Sequence, residues 1–133
     1  MRQIVALVAL VAAVLAGCAT DATVRSSIRE LPGTYYSGDG LGRNVRVLLN
    51  PDGTYYSDWQ GCLGVYGESE GAWTLQGDQI TFRPVTASDS LAGYLTSATT
   101  IRHNGRLGFV RPQDVQHDRV TERLVFLKEQ TKQ

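Results

Sequence analysis

Residues 52–75 read DGTYYSDWQGCLGVYGESEGAWTL, and the way this stretch is parsed decides the fold. Pro51, Asp52 and Gly53 are turn chemistry: proline presets the first corner, aspartate can bond its own backbone, and glycine accepts a positive φ. From Gly53 to Trp59 the chain alternates with period two. Gly53, Tyr55, Ser57 and Trp59 share one face; Thr54, Tyr56 and Asp58 share the other. The aromatic and β-branched content suits a strand buried on one side. Gly61, Gly64 and Gly67 predict three breaks, as bends or bulges. Alternation resumes over residues 71–75, with Trp73 and Leu75 on one face. Two such strands, each with a tryptophan large enough to fill much of a small core, form the expected centre of the molecule.

Working outward, the same grammar repeats. Residues 31–37 and 44–49 read as strands, the second with Val45, Val47 and Leu49 alternating against Asn44, Arg46 and Leu48. Gln76-Gly77-Asp78 is a turn, and residues 79–83 a strand that Pro84 is expected to stop. Residues 85–93 read as a longer connection, with a helical turn begun by Ser88 or Asp89. Residues 95–103 and 106–111 flank Asn104-Gly105, the preferred dipeptide of a type I′ hairpin. A polar loop over 112–119 leads to a last strand over 121–128, with Leu124 and Phe126 inward. About eight short strands and no sustained helical period predict an all-β fold, an antiparallel meander closing into a small barrel. Closure removes exposed strand edges, and two tryptophans with several inward tyrosines favour a filled interior.

The chain has 133 residues, enough for one domain, and its formal net charge is zero, so it shows no nucleic-acid footprint. Its N-terminus carries the clearest functional signal. Arg2 is followed by an unbroken apolar run over residues 4–15, shorter than the roughly 20 residues that span a bilayer. The run ends in Leu15-Ala16-Gly17-Cys18, which resembles the lipobox of bacterial lipoproteins. The resemblance implies cleavage before Cys18, diacylation of its thiol and acylation of the new N-terminus. An ordinary secretory signal with a coincidental cysteine is the alternative. Ala19 stands where inner-membrane retention would place an aspartate, so the expected address is the outer membrane, lipid-anchored and facing the periplasm if the cell is Gram-negative. The expected organisation is a signal peptide over residues 1–17, the lipidated cysteine with a tether over 18–30, and a β-barrel domain over 31–129.

The succession GTYYSGDG, VRVLLNPDGTYY, GESEGAW and GDQITFRP, covering Leu31 to Pro84, resembles uncharacterised small bacterial lipoproteins with lipocalin-like barrels. It is distantly similar to copper-responsive outer-membrane lipoproteins, which carry a Cys-x-x-Cys in the barrel where this chain has Cys62 alone. Gly71-x-Trp73 is similar to the G-x-W of lipocalins. The resemblance implies a lipid-held barrel in the cell envelope, with no cofactor beyond the covalent lipid on Cys18.

Several motifs invite chemistry and are better explained without it. Gly67-Glu68-Ser69-Glu70-Gly71 has the spacing of a nucleophile elbow, but that device needs a strand, a strained turn and then a helix. Two glutamates would also oppose an oxyanion beside Ser69, so a glycine-delimited β-turn is the expectation. Glu68 and Glu70 can share a face like an acid–base pair; alternation on an exposed edge explains them as well. Cys62 is the odd cysteine once Cys18 is lipidated, and a buried thiol is expected, with an intermolecular disulfide as the alternative. Sulfur and imidazole are too sparse for a metal site: His103 and His117 lie in distant loops. Residues 38–42, GDGLG, lack the Lys-Ser/Thr of a phosphate loop.

The expected function is non-enzymatic: a lipid-anchored envelope protein that contacts the membrane through its lipid. It would bind an envelope protein or a small ligand through the loops of one barrel mouth. The expected contact residues are Tyr36, Asp39, Tyr56, Asp58, Trp59, Tyr66 and Glu68. A protein inhibitor of host lysozyme-type hydrolases is the second expectation, and a hydrolase using Ser69 the third.

Overall fold

A computed structural model describes residues 26–117 and 119–132. The signal peptide, the lipobox with Cys18, the first part of the tether and Asp118 lie outside the described residues. Among the described residues ten strands run in chain order: β1 Gly33–Gly38, β2 Asn44–Leu49, β3 Thr54–Gly61, β4 Gly64–Gln76, β5 Gln79–Ala87, β6 Ser97–His103, β7 Arg106–Val110, β8 Val115–Gln116, β9 Arg119–Val120 and β10 Phe126–Lys128. Eight of them close an antiparallel barrel in the order β1-β10-β7-β6-β5-β4-β3-β2. β8 and β9 form a separate two-stranded hairpin in the excursion between β7 and β10. The all-β meander barrel read from the sequence is therefore the fold of the described residues. Asn104 and Gly105 take the positive φ of 49° and 78° that a type I′ turn demands.

Closure gives the barrel two poles. Loops over 39–43, 62–63, 88–96 and 111–125 gather at one, called the upper pole. Turns over 50–53, 77–78 and 104–105 gather at the lower pole. The segment leading into β1 and the segment leaving β10 also meet at the lower pole. There the Lys128 Nζ donates to the Glu30 carbonyl at 2.6 Å, and the Glu129 N–H to the Thr34 carbonyl at 2.7 Å.

Period-two alternation fills the interior. Tyr35, Val45, Val47, Leu49, Tyr55, Ile80, Phe82, Phe109 and Phe126 are buried together. Phe109 stacks on Phe126 at 4.8 Å and tilts against Tyr35 at 4.9 Å, while Phe82 meets Tyr55 edge-on at 5.1 Å. This cluster, rather than a pair of tryptophans, is the centre. Trp73 is buried near the lower pole, its indole N–H donating to the Asn50 carbonyl at 3.0 Å. Trp59 is only half-buried and sits at the upper pole against Tyr94.

The structure corrects three readings, two of them in or next to the central stretch. Gly61 and Gly64 frame a two-residue turn, and the irregularity expected at Gly67 is a bulge: Trp59 pairs Gly67 while Gln60 pairs Val65, leaving Tyr66 as the extra residue, and β4 runs on through it. Gly67 is buried because residues 88–91 lie on it; a Cβ there would stand 2.8 Å from the Ser88 carbonyl oxygen and 2.9 Å from the Leu91 nitrogen. The expected β-turn at residues 67–71 is thus mid-strand, with Ser69 paired to Ser57. Pro84 does not end β5, which continues to Ala87. The Phe82 N–H faces β6 and donates to Thr96, so two residues on the proline nitrogen faces the same side, where β6 pairs only Gln79–Thr81. No ladder bond is lost there. Finally, the last strand is short, because residues Glu122–Leu124 form a 3-10 turn; Phe126 is fully buried and Leu124 half-buried.

Candidate binding surface on the outer wall

The residues expected to make contacts separate into groups. Tyr36, Asp58 and Glu68 fall in one transverse row, since the ladder pairs Tyr36 with Arg46, Arg46 with Asp58, and Asp58 with Glu68. The adjacent row pairs Leu48 with Tyr56, Tyr56 with Glu70, and Glu70 with Thr86. Both rows lie on the outer wall, because the intervening residues Ser57 and Ser69 are buried. The two rows are bonded: the Tyr56 hydroxyl donates to Glu68 Oε1 at 3.0 Å. Tyr36 donates to the Asn44 side chain, Gln60 to Asp58 at 2.9 Å, and Thr86 to Glu70 at 3.4 Å.

Asp39, Trp59 and Tyr66 are elsewhere. The Asp39 carboxylate accepts the Leu41 N–H at 2.8 Å and the Arg43 N–H at 3.1 Å, which folds its own loop. These backbone donors hold its pKa below the ordinary carboxylate value. Tyr66 lies over Gly61 so closely that a Cβ would stand 1.8 Å from its ring. Trp59 belongs to the closure of the upper pole. Arg43 lies 5.8 Å from its ring and donates to the Ser37 hydroxyl at 3.0 Å, the Arg123 carbonyl at 3.2 Å and the Tyr94 hydroxyl. Arg111 stacks 3.6 Å from the Tyr94 ring and forks onto Asp114 at 2.7 and 3.0 Å. Arginine with aromatic and carboxylate neighbours holds that pole shut.

Beside the Tyr56 row lies an open groove of about 440 Å³, lined by Tyr56, Glu70, Ala72 and Val85 among others. Val85 is 82% exposed. The register shifts between Glu70 and Gly71, where Gly71 pairs Pro84 and Glu70 pairs Thr86, leaving Val85 as the extra residue. Gly71 permits this approach: a Cβ there would stand 2.1 Å from the Arg83 carbonyl oxygen. Asp58, Glu68 and Glu70 make no ion pair among the described residues, whereas Arg46 is 3.6 Å from Glu129. Partial burial, then the hydrogen bond to Glu68, then the charges of Glu68, Asp58 and Glu70 push the Tyr56 hydroxyl above its ordinary pKa.

Sequence reasoning named Tyr36, Tyr56, Asp58 and Glu68 but placed them at a barrel mouth. It weighed Glu70 only as half of a catalytic pair and missed Val85 and Ala72. Alternation along β4 already puts Glu68, Glu70 and Ala72 on one face. The bulge that exposes Val85 has no local signature beyond Gly71 and Pro84.

The remaining motifs carry no chemistry of their own. Ser69 is buried inside the barrel with its hydroxyl 2.8 Å from that of Tyr55, while Glu68 and Glu70 face outward. Cys62, expected to be buried, is exposed on the β3–β4 turn, because a two-residue loop has no interior. Its thiol lies 3.3 Å from the Leu41 carbonyl. Among the described residues no group of three or more His, Cys, Asp or Glu side chains is placed to hold a metal ion. No protein-family profile, curated protein or solved structure matches the chain.

Proposed function

We propose that the protein is a lipid-anchored lipoprotein of the bacterial envelope, non-enzymatic, that holds a protein partner against the outer wall of β2–β5. The lipid on Cys18 would be its only prosthetic group, and the outer membrane, on the periplasmic side, its address. The membrane half of the reading rests on the sequence: Arg2, the apolar run over residues 4–15 and the Leu-Ala-Gly-Cys box. Several acyl chains would anchor it firmly, at about 0.8 kcal/mol per buried CH₂.

The observation that carries the binding half is the coincidence of a filled interior with an open outer groove. Aromatic rings occupy the middle of the barrel, so an enclosed small ligand has little support. The groove beside Tyr56 offers apolar surface together with the Glu70 carboxylate, and Glu68 and Asp58 lie in the next row; among the described residues none of the three forms an ion pair. Since residues 26–32 enter at the lower pole, a lipid tether would moor the barrel by that pole and leave its wall free.

The test is crosslinking and capture from the native envelope with the acylated protein. Palmitate should label the wild type and not Cys18→Ser. A photo-crosslinker at Thr86 should trap a defined partner band that one at exposed Gln113, in the turn at the upper pole, does not. Failure of the label would overturn the anchor; equal trapping from both positions would overturn the wall as the binding surface.

A further inference from the structure

We propose that the groove beside Tyr56 receives an extended segment of a partner protein carrying lysine or arginine at alternate positions. This deepens the reading of the outer wall as a binding surface and rests on it. Three features specify the occupant. The floor is apolar: the Tyr56 ring, Ala72 and a Val85 that is 82% exposed. The approach to it is anionic: Glu70 lines the groove, Glu68 and Asp58 stand in the next row of the same wall, and none of the three has an ion-pair partner among the described residues. Of the nearby cations, Arg46 is engaged by Glu129, and Arg83 pairs across the strand with Ala72 and not with a carboxylate. Cationic side chains over an apolar body are what such a surface complements.

Spacing excludes a compact occupant. Glu68 and Glu70 alternate on one strand, about 7 Å apart along it, which is the distance between side chains two apart in an extended peptide. The three carboxylates do not converge as the ligands of an inorganic cation would. Nor would the segment join the sheet. Past Thr81 the outer edge of β5 lacks a β6 partner, but Pro84 and the bulge at Val85 break the row of donors and acceptors a new strand would need. Recognition therefore runs through side chains laid across the wall.

The experiment uses the purified full chain in detergent and a dye-labelled peptide alternating lysine and leucine, read by fluorescence anisotropy. A matched peptide with glutamate for lysine is the control. The lysine peptide should bind, weaken about tenfold between low and 300 mM salt, and weaken about tenfold again on Glu68→Gln with Glu70→Gln. Both glutamates are exposed, so thermal unfolding should be unchanged. The charge-swapped pair Glu68→Lys and Glu70→Lys should bind the glutamate peptide instead. Val85→Ser should weaken binding without altering its salt dependence. Binding unaffected by the paired glutamine variant, equal binding of both peptides, or full displacement by millimolar calcium would each overturn the proposal. Palmitate labelling of Cys18 is independent of every arm, so failure here leaves the anchor reading standing.

Discussion

Inside the barrel, the hydroxyls of Tyr55 and Ser69 are 2.8 Å apart and tie β3 to β4. Ser69→Ala leaves the buried Tyr55 hydroxyl without this partner, and chemical denaturation should show a loss of about 1–3 kcal/mol. Adding Tyr55→Phe should restore much of it, because an apolar pair of the same shape leaves nothing unsatisfied. Tyr35 predicts a pH dependence. Its hydroxyl donates to the Leu31 carbonyl at 2.7 Å, and burial pushes its pKa above the ordinary tyrosine value. The unfolded chain loses this proton near pH 10 while the folded chain keeps it. The stabilisation is therefore complete below that pH and falls as pH rises, by up to about 1.4 kcal/mol per unit. Tyr35→Phe should flatten the decline of urea midpoints between pH 9 and 11. At this scale the sequence told inward from outward well along β2 and β3, but it assigned Tyr36, Tyr56, Asp58 and Glu68 to the loops of a barrel mouth, whereas their side chains stand on the outer wall. Trp59 does turn inward but is only half-buried, because it packs at the upper end of the core, and Cys62 is exposed because it sits where β3 gives way to β4.

Glycine shows why element boundaries were harder to read than elements. At Gly67 β4 continues directly past the Tyr66 bulge, and the missing side chain makes room for the backbone of residues 88–91. Gly67→Ala should cost about 1–3 kcal/mol by overpacking. Gly42→Ala, which meets nothing within 4 Å, should be neutral or slightly stabilising by thermal unfolding. One residue type thus answers to two causes, and period-two reading cannot separate a chain break from a close approach made by a distant part of the chain. Pro84 is the same lesson: whether it stops a strand depends on whether a neighbour lies opposite its nitrogen. Strand 44–49 and the Asn104-Gly105 hairpin were legible because both are decided within a few residues. The groove was not, because the Val85 bulge comes from the register between β4 and β5.

Across the whole molecule, pairing is uneven. β3 and β4 match over most of their length, while β10 contributes two paired residues to β7 and two to β1. Rings hold this seam: Phe126 against Phe109, and Phe109 against Tyr35. Native-state amide exchange should find β10 opening at lower free energy than β3–β4. Phe126→Ala should cost about 3–5 kcal/mol and collapse that difference into global unfolding. The meeting of the first and last strands at one pole carries a further consequence for protein engineering. With Glu30 and Lys128 already bonded, a short glycine linker could splice head to tail, and fresh termini could be opened between Cys62 and Leu63. Such a circular permutant would keep every rung of the ladder while moving the chain's ends to the opposite pole, so that an anchor fused there would hang the same bead upside down from a surface.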